Sequence, residues 1–131
     1  MNQVVIEIPE PPEREKLPNR RLLERHKLAA GQDGQQSFFV DIGFTRDGRP
    51  LEVFISGPAS GSELGALAQD AALLISLCLQ HGLPAETMAR TIARVPVRGQ
   101  RELDVVNVAE PASMIGAVLD LLANLPSSRL L

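Results

Sequence analysis

Two runs of alternating apolar residues on either side of an Asp-Gly pair constrain this chain more than any other feature. In "SFFVDIGF", Phe38, Val40, Ile42 and Phe44 fall on one side of an extended strand, with Phe39, Asp41 and Gly43 on the other. "TRDGRP" follows, and its Asp47-Gly48 suits a tight reversal. "LEVFIS" then sets Leu51, Val53 and Ile55 against Glu52 and Phe54. The pattern predicts a β-hairpin with one strongly apolar face, and it holds all four phenylalanines of the chain. Such a hairpin is marginal alone in water, so other elements must cover it.

The cover is a long helix over "GSELGALAQDAALLISLCLQHG". Leu64, Leu67, Ala71, Leu74 and Cys78 recur at alternating three- and four-residue steps and are expected to form its buried seam. Ala66, Leu73 and Leu77 add a second apolar strip, leaving Gln69, Ser76 and Gln80 as a thin polar edge. Ser60 with Glu63, or Ser62 alone, can cap its start, and Gly82 suits its stop. Pro84 fits the first position of a second helix, "PAETMARTIAR", with Met88 and Ile92 inward and Arg90 and Arg94 near the cation-favouring end. A last helix follows Pro111, with Ile115, Val118, Leu119 and Leu122 as its stripe.

Upstream, "NRRLLERHKLAA" reads as a short helix capped by Asn19 and ended by Gly31. "RELDVVNVAE" offers a third strand through Leu103, Val105 and Val108. The expected fold is α+β: a hairpin, with a third strand available, packed against one long apolar helix and two or three shorter ones. Residues 1–16 read as a flexible Pro- and Glu-rich leader, 17–125 as one domain, and 126–131 as a frayed tail.

The totals exclude several classes. A net charge of −3 argues against bulk attraction to nucleic acid, although Lys16, Arg20, Arg21, Arg25, His26 and Lys27 cluster as a basic segment. One cysteine permits neither an intramolecular disulfide nor a multi-thiol zinc site. No secretory signal is visible, and the apolar part of "AALLISLCL" reads as too short for a membrane span, so the cytoplasm is the expected location.

Reactive constellations are scarce. Cys78, between Leu77 and Leu79, reads as a core residue rather than an activated thiolate. His81 at a helix end suits the dipole better than catalysis, and no spacing of His and carboxylates suggests a metal site. No catalytic residue, metal or cofactor is therefore assigned. The glycine loop "GPASGS" is the one anion cradle, through Ser60, Gly61 and Ser62, and no Gly-Lys-Ser/Thr makes it a P-loop. "LLISLCLQHGLPAETMARTIAR" has the rhythm of a helix-turn-helix, with Arg90 and Arg94 as groove contacts beside a basic arm of Arg20, Arg21 and Arg25.

The segment "VDIGFTRDGRPLEVFISGPASGSELGALAQDAALLISLCLQHGLPAETM", with "LPNRR" before it and "IGAVLDLL" after it, resembles the TSCPD domain family. That family comprises the C-terminal module of cobalamin-dependent ribonucleotide reductases and short free-standing bacterial relatives. The chain lacks the Thr-Ser-Cys-Pro-Asp string that names the family, and its glycine loop lacks the lysine of many short relatives. The resemblance implies a non-catalytic accessory module linked to ribonucleotide reductase, binding a protein partner or a nucleotide. The alternative is a small DNA-binding regulator using the basic arm. Surplus apolar surface, including Phe39, Phe54, Leu73 and Leu77, leads to the expectation of a homodimer.

Overall fold

The computed structural model describes residues 3–7, 13–30, 36–57, 61–96 and 109–126. The predicted hairpin is present as β2 (Gln36–Phe44) and β3 (Pro50–Ser56), antiparallel, with Val40 opposite Ile55 and Ile42 opposite Val53. Thr45 organises the turn: its N–H donates to the Arg49 carbonyl at 2.8 Å, and its Oγ1 accepts from the Arg49 N–H at 2.9 Å. Gly48, at φ 88°, takes the left-handed position inside that loop.

A third strand does join the sheet, from a different place than expected. β1 (Leu23–Ala30) pairs antiparallel with β2, giving the order β1-β2-β3. The segment read as a short helix is thus a strand, so Asn19 has no helix to cap; Gly31, the expected stop, lies outside the described residues. Its period of two is masked by chemistry. Leu22, Glu24, His26 and Leu28 share the core side, opposite Phe44, Ile42, Val40 and Phe38. The two polar members satisfy each other, His26 Nε2 and Glu24 Oε1 lying 2.6 Å apart. Leu22 and Leu28 pack against the core. The strand expected over Leu103, Val105 and Val108 lies outside the described residues; a small second sheet pairs β4 (Arg94–Pro96) with β5 (Ala109–Pro111).

The core lies on one face of the main sheet. Phe38, Val40, Ile42, Phe44, Val53 and Ile55 meet three helices there: α1 (Glu63–Gln80), α2 (Ala85–Ala89) and α3 (Met114–Ala123). Ser62 caps α1, its Oγ accepting from the Gly65 N–H at 3.0 Å, and Gly82, at φ 90°, follows its end. Ser113 caps α3 in the same way through Gly116. Met88 and Ile92 do pack inward, but α2 ends at Ala89, so the second helix is about half the expected length. Arg94 consequently belongs to a strand.

The face that α1 buries is the opposite of the one expected. Gly65, Ala68, Ala72, Ile75, Ser76, Leu79 and Gln80 are buried, while Leu64, Leu67 and Leu74 are 41%, 54% and 62% exposed. Cys78 is half-buried rather than a core residue. Small residues on the inner face let the helix approach the sheet. The polar edge then docks on β3: Ser76 Oγ accepts from the Val53 N–H at 2.9 Å and lies 3.2 Å from its carbonyl, and Gln80 Nε2 donates to the Leu51 carbonyl at 3.1 Å. Ser76 also donates to the Ala72 carbonyl in a shared arrangement, 2.8 Å away. These bonds close part of an edge strand that would otherwise offer bare peptide groups. By length and composition alone the 18 residues of α1 are enough to cross a membrane, while its inner face is buried against the sheet.

The leader is held at its inner end. The Glu15 N–H donates to the Gln80 carbonyl at 2.8 Å, Arg14 donates to the Gln80 side chain, and the Glu15 carboxylate pairs with Arg49 at 2.6 Å.

Candidate functional site

Odd positions of β1 and β2 and even positions of β3 point away from the core. Alternation alone therefore builds a second sheet face in three rows: Leu23–Gly43–Glu52, Arg25–Asp41–Phe54 and Lys27–Phe39–Ser56. Among the described residues no helix covers this face, and Phe54 is 53% exposed.

Its charges are ordered in pairs. Arg25 makes a two-pronged bond to Asp41, Nε to Oδ1 at 2.7 Å and Nη2 to Oδ2 at 3.0 Å, and its guanidinium lies 5.1 Å from the Phe39 ring centre. The Asp41 carboxyl is held below its ordinary range, chiefly by the hydrogen bond from Arg25. Arg21 reaches Glu52 at 3.1 Å and the Pro18 carbonyl at 3.0 Å. Glu52 lies directly over Gly43, where an added Cβ would come within 2.6 Å of the Glu52 Cγ, so the glycine makes room for the buried acid. Beside this face, a cleft of about 400 Å³ runs between β3 and α1, lined by Arg14, Glu52, Phe54, Gln69, Leu73 and Ser76.

The structure brings Arg21, Arg25, Phe39 and Phe54 together on this face, with Leu73 across the cleft from Phe54. Leu77, half-buried, continues the Leu73 strip. Arg20 is exposed at the mouth of a shallow depression with Asn19 and Arg21. Arg90 and Arg94 lie elsewhere. Arg90 folds back on its own helix, to the Glu86 carbonyl at 3.3 Å. Arg94 is clamped to Asp120 at 2.9 and 2.7 Å and to the Ala89 carbonyl at 3.0 Å, which raises its pKa, mainly through the Asp120 hydrogen bond. With a five-residue second helix and Arg94 in a surface ion pair with Asp120, the helix-turn-helix geometry does not form.

Of the anion cradle, Ser60 lies outside the described residues, Gly61 takes φ 81°, and the Ser62 oxygen serves as the α1 cap. The depression there is lined by Ser56, Gly57, Gly61, Ser62, Gly65 and Gln69, with no cation among the described residues. Among the described residues no group of three or more His, Cys, Asp or Glu could hold a metal ion.

Sequence reasoning missed the roles of Ser76 and Gln80. Their signal was present as two polar residues four apart in the otherwise apolar second half of the helix, which belong together on one face. Asp41 and Glu52 were legible as outward positions, but their arginine partners became neighbours only once β1 paired with β2.

A three-stranded antiparallel sheet with helices backing one face and ion pairs on the other, joined by a small second sheet, defines a small α+β domain. The chain belongs to the TSCPD domain family, whose model matches residues 9–125. It is 35% identical over 78 residues to a vitamin B12-dependent ribonucleotide reductase of Rhodopirellula baltica, covering 59% of this chain and 7% of that protein. It is 39% identical over 74 residues to a vitamin B12-dependent ribonucleotide reductase of Agrobacterium fabrum, covering 56% of this chain and 6% of that one. The chain thus matches less than a tenth of the length of these relatives. No solved structure matched.

Proposed function

We propose that this chain is an accessory module that docks on a ribonucleotide reductase and performs no chemistry of its own. Membership of the TSCPD family and likeness to a small part of two vitamin B12-dependent reductases support the link to that enzyme. The observation that carries the docking reading is the open sheet face, where Phe54 stands out among the Arg25–Asp41 and Arg21–Glu52 pairs. An aromatic anchor ringed by fixed, paired charges has the chemistry of a protein interface. A nucleotide is disfavoured as the principal ligand, because the glycine loop offers no cation and the sheet-face arginines are engaged by carboxylates.

The test is a titration of the immobilised vitamin B12-dependent reductase of the host with the full chain. Saturable binding is expected, weakened at least about tenfold by Phe54→Ala, the cost typical of an anchor residue. Absence of binding, or binding indifferent to Phe54→Ala, contradicts the proposal.

A further inference from the structure

The outward seam of α1 is a second surface, and it differs in kind from the sheet face. Leu64, Leu67, Ala71, Leu74 and Cys78 recur at the three-four spacing of a helix-pairing stripe, yet Leu67 and Leu74 are more than half exposed while Ser76 and Gln80 are buried. The helix cannot roll to hide its leucines, because Ser76 and Gln80 are bonded to the edge of β3. Presenting a row of leucines to water is unfavourable for an isolated subunit and reasonable for one whose seam is covered.

From this geometry we infer that the seam is covered by the same seam of a second copy, with the two α1 helices antiparallel and crossing near Ala71. The stripe is close to symmetric about that residue, with Leu67 and Leu64 on one side and Leu74 and Cys78 on the other. A twofold axis through Ala71 therefore sets Leu67 of each copy against Leu74 of its partner, and the small central side chain lets the axes approach. Charge fixes the direction. Glu63 and Asp70 are the charged residues of α1, both acidic. A parallel pair would align like helix ends and set the two Glu63 side by side, whereas the antiparallel pair separates them and opposes the dipoles. Asp70 stays near the crossing, so added salt strengthens association by screening that repulsion.

The area sets the affinity class. A helix of 18 residues is about 27 Å long and 10–12 Å across. Taken flat, a face of that size is about 300 Å², and its curved accessible surface is at most on the order of 600 Å² per partner, which puts the pair at or below the lower end for specific interfaces. The dimer is accordingly reversible and needs no reductase.

Sedimentation velocity of the full chain between about 1 and about 200 µM, a range suited to such an area, should show a concentration-dependent dimer. Leu67→Glu and Leu74→Glu should each raise the dissociation constant at least about tenfold, with unchanged far-UV circular dichroism, since both side chains are exposed. Under diamide, Ala71→Cys in a Cys78→Ser background should cross-link as a disulfide dimer, while the native chain, whose two Cys78 would lie at opposite ends, should not. A monomer throughout overturns the inference, including one whose seam is shielded by its own exposed Val4, Val5 and Ile6. So does a dimer insensitive to both glutamate variants. A Cys78-linked native dimer, or failure of Ala71→Cys to cross-link, overturns the antiparallel arrangement.

Discussion

Ser76 illustrates how one hydroxyl decides an orientation. Its oxygen meets both peptide groups of Val53 on the outer edge of β3, and the side chain is buried. Ser76→Ala leaves those groups without partners and is expected to cost about 1–3 kcal/mol in urea unfolding. Asp41 gives a different kind of prediction. Its folded-state pKa is depressed, first by the Arg25 hydrogen bond, so it stabilises the fold above its unfolded pKa and that contribution is lost as pH falls through the lower folded value. A melting-temperature profile in the acid range should be shallower for Asp41→Asn than for the native chain, and parallel profiles would contradict the assignment. At this scale the sequence announced residue roles unevenly. Alternation fixed which side Phe54 and Glu52 take, because it depends on the strand alone. The Arg25–Asp41 pair was hidden because it depends on a strand sixteen residues away.

Elements show where pattern reading succeeds and where it selects the wrong answer. The hairpin was legible because every apolar residue on one face faces the core. β1 was not, since strong helix formers surround a strand whose core-side Glu24 and His26 bond to each other. α1 was recognised but turned around. A rule that buries the greasiest stripe ignores that glycine and alanine permit close helix–sheet approach and that Ser76 and Gln80 find backbone partners on the edge of β3. Alanine substitution separates the two faces. Ile75→Ala should destabilise the chain by about 2–5 kcal/mol, as for other large-to-small core changes. Leu74→Ala, measured at a concentration where the chain is monomeric, should stay within about 0.5 kcal/mol of native, like other surface changes. The opposite ranking would mean that the helix packs by its leucines.

For the whole molecule, two surfaces point in different directions from one core: the ion-paired sheet face and the leucine seam of α1. The DNA-binding alternative requires basic groups available to phosphates, yet Arg21, Arg25 and Arg94 are engaged by Glu52, Asp41 and Asp120. Random duplex DNA at low salt should therefore give no saturable mobility shift, and a shift that weakens steeply with salt would restore that reading. The α+β class and the family could be read from the ordered set of motifs, because these reflect the chain's local patterns. The docking face could not, because it is made by three strands at once. Hydroxyl-radical footprinting of the full chain, with and without the host's vitamin B12-dependent reductase, tests its role most directly. The reductase should shield Phe54 and Leu23 while leaving α3 side chains unchanged. Unaltered oxidation of Phe54 in a reductase-bound chain would contradict that role.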